Sequence, residues 1–413
     1  MKKVWTKKSQ EQINEIVFAA LNQNISYVEK NVLGVPGSFL DTKVFNSDAS
    51  FLKEAPFMSA LLENPNHIGC HTLETSEPFF AGTHEIEKSL LEICAVDILK
   101  GESGKYDGYV ASGGTEANIQ AIWVYRNYYL KEFSAASDDI VIVCSEDSHY
   151  SMHKAANLLS LDILKVKVNE DNRAVESLAL EETLQKATLA GKKYFIVICN
   201  MMTTMFGSVD DIEMISTTLA KKRLEYKIHV DGAYGGFYYP FSNEESSLTF
   251  KNEAISSFTL DAHKMAQSPY GTGIFLIRKN LIQYAKTEEA SYVEGQDFTL
   301  IGSRSGANAI AVWMILSKHG PYGWFEKVYI LQKRAQWIVK QLDELGILYY
   351  RNLHSNIITI RSSSLNKSIA EKYWLVPDNH VAPRWYKIVV MEHVTVDILN
   401  QFIEELKANP KSC

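Results

Sequence analysis

Short runs of consecutive apolar residues recur at 140–144, 194–199, 228–230 and 274–277, and amphipathic stretches at 148–160 and 210–224 fall between them. A strand that is apolar on both faces belongs in a sheet covered on both sides, and the helical stretches supply the crossovers that parallel strands require. The pattern predicts an α/β fold with a mainly parallel central sheet. Upstream, Gly82 opens an amphipathic helix that Thr83 can cap, with Ile86, Leu90, Leu91 and Ile98 on one side and Glu85, Glu87 and Lys88 on the other. Beyond Arg278 the alternation stops. An apolar stretch at 310–316 and an amphipathic helix from about 324 to 345 lead into a smaller α+β region, with strands at 357–360 and 387–390 and a last helix at 396–406. Residues 1–55 read as polar helix followed by turns around Gly34, Pro36 and Gly37, too poor in apolar side chains for a core of their own. The expected division is an arm at 1–55, a large domain at 56–315 and a small C-terminal domain at 316–413.

Composition narrows the partners. A chain of 413 residues, 46% hydrophobic and 22% charged, can bury a large core. A net charge of −7 with a pI near 5.9 speaks against nucleic acid and anionic membrane, both of which reward basic patches. No apolar stretch approaches the roughly 20 residues of a membrane span, and the N-terminal lysines precede no apolar run of a signal peptide. Cys70, Cys94, Cys144, Cys199 and Cys413 are scattered without a C-x-x-C pair, which fits reduced thiols in a cytoplasmic protein better than a disulfide framework or a zinc ribbon.

In parallel α/β sheets ligands sit outside the carboxyl ends of the strands. Four polar or small clusters fall there: Asp147-Ser148-His149, Met202-Thr203-Thr204, Asp231-Gly232-Ala233 and His263-Lys264. A further segment, Ser112-Gly113-Gly114-Thr115, joins an extended stretch to a helix start. Small residues at that junction leave backbone N–H groups unpaired, and with the helix dipole and the Ser112 and Thr115 hydroxyls they suit a phosphate; a plain helix cap is the alternative. It is not a P-loop, because no Gly-Lys-Ser/Thr follows, and G-x-G-x-x-G is absent. Lys264, at the mouth of a strand before the turn residues Pro269 and Gly271, suits an amine that forms a Schiff base, against a solvated lysine ending a strand. His149 and His153 have the spacing of a zinc pair, but no H-E-x-x-H glutamate or third ligand accompanies them, so stacking on an aromatic cofactor is the better role for His149 and no metal is expected. One cofactor would use the whole set. Pyridoxal 5′-phosphate needs an anchoring lysine, an anion site, and a carboxylate such as Asp231 to keep its pyridine nitrogen protonated.

These motifs resemble those of the group II pyridoxal-phosphate-dependent amino acid decarboxylases of fold type I, the aspartate aminotransferase-like fold. The similarity runs from about Phe79 to Leu406. It rests on Phe80-Ala81-Gly82-Thr83, on Ser112 through Ala121, on Asp231-Gly232-Ala233-Tyr234-Gly235-Gly236-Phe237, on Asp261-Ala262-His263-Lys264-Met265 and on Ile388 through Thr395. The archaeal tyrosine/aspartate decarboxylases are closest in these motifs; histidine decarboxylases and sphingosine-phosphate lyases share part of them. The resemblance implies that Lys264 forms the Schiff base and that Gly113, Gly114, Thr115 and His263 hold the phosphate. It implies further that Asp231 pairs with the ring nitrogen, that Ala233 and His149 lie against the two ring faces, and that Thr204 sits near the cofactor. Tyr292 would return a proton to the substrate carbon after carbon dioxide leaves. Ser303, in Gly302-Ser303-Arg304-Ser305-Gly306, would approach the phosphate of a second subunit across a homodimer interface.

Two positions depart from the family pattern. Met202 stands where a glycine usually precedes Thr-Thr. Lys387 stands where the archaeal enzymes carry an arginine for the substrate carboxylate, with Arg384 three residues earlier; a lysine is a point charge and lacks the bidentate fork. The expected activity is L-amino acid decarboxylation, with an aromatic (tyrosine-like) or acidic (aspartate or glutamate) substrate. Histidine decarboxylation, an aldehyde-lyase of the sphingosine-phosphate type and a non-catalytic cofactor-binding protein are the alternatives.

Overall fold

The computed structural model describes residues 4–25, 41, 45, 48–63, 78–286 and 296–410. Seven strands form the central sheet: β1 (Tyr106–Ala111), β2 (Ile140–Ser145), β3 (Asp162–Val166), β4 (Tyr194–Asn200), β5 (Glu225–Gly232), β6 (Ile255–Asp261) and β7 (Gly273–Arg278). Their order across the sheet is β1-β7-β6-β5-β4-β2-β3, and β7 alone runs antiparallel to its neighbours. β7 reverses because the segment from β6 is a turn and not a helix. Ala262 N–H donates to Thr272 O at 2.9 Å, Ser268 N–H to Ala262 O at 3.2 Å, and Thr272 Oγ1 to Pro269 O at 2.9 Å. These bonds close the turn that carries His263 and Lys264. β1, β2 and β6 are buried at every position; β2 is apolar nearly throughout, as a strand covered on both faces requires, whereas β6 also buries Ser256, Ser257, Thr259 and Asp261. β3 is a half-exposed edge strand whose mixed pattern gave no strand signal.

Helices cover the sheet: α1 (Gln10–Gln23), α2 (Pro56–Glu63), α3 (Ala81–Glu92), α4 (Gly114–Glu132), α5 (Ser151–Leu159), α6 (Ser177–Leu189), α7 (Ile212–Lys221), the short α8 (Tyr239–Ser242) and α9 (Gly306–Glu344). Thr83 lies inside α3 and does not cap it. Asn24, just past α1, takes that role from a distance, with Oδ1 accepting Gly82 N–H at 3.0 Å and Nδ2 donating to Thr83 Oγ1 at 2.9 Å. α1 itself packs Ile13, Val17, Ala20 and Leu21 into the main core. Ahead of it Trp5, 1% exposed, donates its indole N–H to Leu316 O at 2.6 Å. The helix expected from about residue 324 begins earlier, and α9 is broken rather than absent at 320–321. Gly320 adopts φ +64°, Pro321 has no N–H to donate, and a Cβ on Gly320 would come within 2.6 Å of Lys7.

The second half of α9 packs on a four-stranded antiparallel sheet ordered β10-β11-β9-β8, made of β8 (Tyr349–Tyr350), β9 (Ile357–Arg361), β10 (Val376–Pro377) and β11 (Trp385–Val389). α10 (Lys367–Lys372) and α11 (Val396–Ala408) complete this unit. Ile338, Leu342, Ile358, Ile360, Phe402 and Ile403 form its separate core.

Arg304 and Glu87 are locked together at the start of α9. Their side chains are 4% and 0% exposed, and Arg304 Nη1 also donates to Val110 O at 3.1 Å on β1. Removing one member of such a pair strands a charge without water, which costs more than the pair contributes. Arg304→Met is expected to lower the unfolding free energy by about 3–5 kcal/mol. Adding Glu87→Leu should restore part of it, and not all, because Val110 N–H then loses the Glu87 oxygen that accepts it at 2.7 Å. Urea unfolding of the three proteins measures both steps.

Candidate active site

The carboxyl ends of β2, β4, β5 and β6 converge on a narrow recess lined by His149, Asn200, Met202, Thr203, Thr204, Asp231, Ala233, Tyr234 and Lys264. Asp231 ends β5, 8% exposed. Its Oδ1 accepts Ala233 N–H at 3.1 Å and its Oδ2 accepts Asn118 Nδ2 at 2.9 Å. Within the chain the carboxylate is therefore held by neutral donors. His149 precedes α5, and its Nδ1 lies 2.9 Å from Ser151 Oγ and 3.3 Å from Ser151 N. Burial keeps His149 below the usual histidine range, although Asp231 pulls the other way.

Lys264 and His263 sit on the β6–β7 turn against Asp261. Asp261 Oδ1 is 2.7 Å from His263 Nδ1, and its Oδ2 is 3.9 Å from Lys264 Nζ and accepts Gly114 N–H at 3.1 Å. Burial raises the Asp261 carboxyl, opposed by the Lys264 and His263 charges. Gly114 thus reaches the site, but its N–H serves Asp261. The Ser112 hydroxyl is also committed, donating to Glu116 Oε2 at 2.6 Å, so neither group is left for a phosphate. Gly113, Thr115 and the first-turn N–H groups of α4 remain, since a first turn has no intrahelical acceptor. A Cβ on Gly114 would come 3.1 Å from both Ala233 Cβ and Asp261 Oδ2, so any larger residue there would have to push these side chains back by a few tenths of an ångström.

Lys387 on β11 reaches the rim of the recess, donating Nζ to Thr204 O at 3.0 Å; burial, then the Lys264 charge, lowers its pKa. Arg384 does not come to the site. Its side chain is 63% exposed and engages Asp378 and Glu170, because strand alternation turns it away from Lys387. Ser303 is exposed and does not line this chain's recess, and its expected role concerns a second subunit. Tyr292 lies outside the described residues. Among the described residues no group of three or more His, Cys, Asp or Glu is arranged to hold a metal ion. Sequence reasoning passed over Asn118, Asn200, His229 and Asp261. His229 was within reach, since it stands two residues before Asp231 on one strand and so shares its face.

The donor set suits a flat, anionic, aldehyde-bearing pyridine. It offers an amine, a buried carboxylate, an imidazole and a small side chain around one recess, beside a helix N-terminus. Fold and site together define a fold type I pyridoxal-phosphate enzyme. The chain belongs to the pyridoxal-dependent decarboxylase family, whose conserved-domain model matches residues 82–348, and it is a pyridoxal-phosphate-dependent amino acid decarboxylase. It is 50% identical to the tryptophan decarboxylase of Clostridium sporogenes over 406 residues, 98% of this chain and 97% of that one. It is 32% identical to a probable L-tyrosine/L-aspartate decarboxylase of Methanocella arvoryzae, over 79% of this chain and 84% of that one. The fold matches L-methionine decarboxylase from Streptomyces sp. 590 with a TM-score of 0.72 at 19% identity, covering 96% of this chain and 93% of that one. Among the described residues no helix is long and apolar enough to cross a membrane.

Met202 resolves one departure from the family pattern. Its backbone keeps the left-handed conformation that a glycine would adopt, at φ +69°, while its side chain is 3% exposed and joins the main core. The left-handed backbone costs roughly 1–2 kcal/mol, and losing a buried methionine side chain costs about 2–5 kcal/mol. Burial wins. Met202→Gly is expected to destabilise the protein by about 1–3 kcal/mol despite relieving the backbone; a stabilised variant in thermal unfolding would show the opposite balance.

Proposed function

We propose that this decarboxylase acts on an aromatic L-amino acid, tryptophan foremost, releasing carbon dioxide and the corresponding amine. The observation that carries this reading is the 50% identity to a tryptophan decarboxylase across 98% of the chain. The charge of the recess supports it. An aspartate or glutamate substrate brings two carboxylates, and the only cationic side chains at the recess, among the described residues, are Lys264 and the rim residue Lys387. With Lys264 committed to the cofactor, one cation serves one carboxylate.

In this reading Lys264 anchors the cofactor's aldehyde carbon and Asp231 holds a proton on its ring nitrogen. Ala233 and His149 pack the two ring faces, and Thr204 borders it. Gly113, Thr115, the α4 N-terminus and His263 take the phosphate, with Ser303 of a second subunit completing it in a homodimer. The bound cofactor supplies a sink for the electron pair left when the carboxylate departs. Lys387 orients that carboxylate, since its ammonium has three donors and one is spent on Thr204 O. Tyr292 returns the proton to the substrate's Cα. His149, kept neutral by burial, stacks without adding a second positive charge beside Lys264.

A panel of the twenty L-amino acids scored for carbon dioxide release tests the substrate. Tryptophan should exceed aspartate and glutamate in kcat/KM by at least about 100-fold, a difference of ~2.7 kcal/mol; fastest turnover of an acidic substrate overturns the reading. The anchoring lysine has a separate test. The purified protein should absorb in the visible, lose that band on borohydride treatment, and show no such band as Lys264→Ala; a visible band insensitive to both would assign the anchor elsewhere.

A further inference from the structure

A line of buried polar side chains runs inward from Asp231, away from the recess. Asn118, on the face of α4 that also carries Tyr125 two turns later, donates Nδ2 to Asp231 Oδ2 at 2.9 Å and to Ser151 Oγ at 3.0 Å. Its Oδ1 lies 2.9 Å from His229 Nε2, which also has Thr259 Oγ1 at 3.1 Å. His229 Nδ1 lies 2.7 Å from Ser257 Oγ, and Ser257 Oγ contacts Tyr125 Oη. A register shift between Ile228 and His229 sets His229 opposite Ser257 and Asp231 opposite Thr259 across β5 and β6. Asn118 is 1% exposed; His229, Ser257 and Tyr125 are fully buried. Without water to exchange partners, each hydrogen has to point at an acceptor within the line.

The direction of those hydrogens follows from one group that cannot turn round. The backbone N–H of Ser151 faces His149 Nδ1, so Nδ1 is the bare nitrogen and the ring hydrogen is on Nε2. Ser151 Oγ then donates to the same Nδ1 and is left to accept from Asn118, which makes the atom of Asn118 facing it the amide nitrogen. That nitrogen also faces Asp231, which therefore receives an N–H as an acceptor. The amide oxygen faces His229, so His229 carries its hydrogen on Nε2, and its bare Nδ1 takes the Ser257 hydroxyl. Ser257 in turn accepts from Tyr125. From the phenol inward, every donor is aimed at Asp231. Burial pushes His229 down to about 4, in keeping with a neutral ring that has one hydrogen to place.

We propose that Asn118, oriented by Ser151 on one side and by the His229–Ser257–Tyr125 line on the other, is a positioning residue that holds Asp231 as a hydrogen-bond-accepting carboxylate. The proposal rests on the reading of Asp231 as the partner of the cofactor's ring nitrogen. The amide acts as a neutral donor, so no counter-charge weakens the pull of Asp231 on that nitrogen.

Nitrogen NMR of 15N-histidine-labelled holoenzyme tests the wiring. His149 and His229 should both carry the hydrogen on Nε2; His229 protonated on Nδ1 overturns it. Binding tests the consequence, comparing pyridoxal phosphate with the analogue that has carbon in place of the ring nitrogen. Wild type should prefer pyridoxal phosphate, Asp231→Ala should lose the preference, and Asn118→Leu should reduce it about tenfold, the loss of one hydrogen bond to a charged group. Tyr125→Phe, which keeps the packing, should reduce it in the same direction by a smaller factor. An unchanged preference in Asn118→Leu and Tyr125→Phe, with Asp231→Ala still effective, overturns the inference and leaves the role of Asp231 standing. No preference in wild type takes both down.

Discussion

Asp261 brings a carboxylate to the end of β6 at the point where three parts of the chain meet. Its oxygens reach the first N–H of α4, the imidazole of His263 and, at 3.9 Å, the amine of Lys264. The side chain is 2% exposed, and a carboxylate without water is costly unless its lone pairs are occupied. Here one oxygen accepts the Gly114 N–H, and the charge is faced by the imidazole of His263 and the amine of Lys264, the groups that the site has to bring together. The same contacts that repair a buried charge fix the helix N-terminus, the histidine and the lysine relative to one another. The turn supporting them is tied from outside as well, with Asn308 on α9 donating to Gly271 O at 2.7 Å. Lys264 is thus set by a closed loop of backbone bonds and one carboxylate.

This arrangement depends on β7 running against the rest of the sheet. A helical crossover after β6 would leave β6 by a long excursion, whereas the short turn keeps residues 262–272 over the end of the sheet. β1 then pairs with β7, so the segment from β1 into α4 lies next to the turn, and Gly273 passes so close to Gly113 that a Cβ would meet its backbone at 2.4 Å. The start of α4 and the lysine turn are neighbours because two strands far apart in sequence share a ladder. The buried Glu87–Arg304 pair fastens the start of α9 to that same strand.

Much of this was legible in the sequence. Continuous apolar runs marked the parallel strands, and their polar ends marked the recess, because both follow from local patterning. What escaped was set by contacts between distant segments. Thr83 has the chemistry of a cap, yet Asn24 caps α3 from 58 residues away in sequence. Ser112 has the chemistry of a phosphate ligand, yet Glu116 takes its hydroxyl. Arg384 and Lys387 read as equivalent cations for one carboxylate, and strand alternation separates them. Met202 stood out as a side chain in place of a glycine, and where that side chain goes, into the main core from a left-handed backbone, is set by packing that the sequence does not display.

Two carboxylates near one recess raise the question of how each keeps its own role. Burial raises Asp261, the charge of Asp231 adds to that, and Lys264 and His263 hold it down. The Asp261 carboxylate therefore depends on cations, one of which is the Lys264 amine that the proposed function commits to the cofactor. Asp231 is supplied differently, by a backbone N–H and an amide whose direction is inherited from Ser151 and His229. Neutral donors do not change when a cation leaves, so the support of Asp231 is independent of the state of Lys264. Placing the cation-dependent carboxylate beside the Lys264 amine, and the amide-fed one near the end of β5, keeps the support of Asp231 separate from the charge on Lys264.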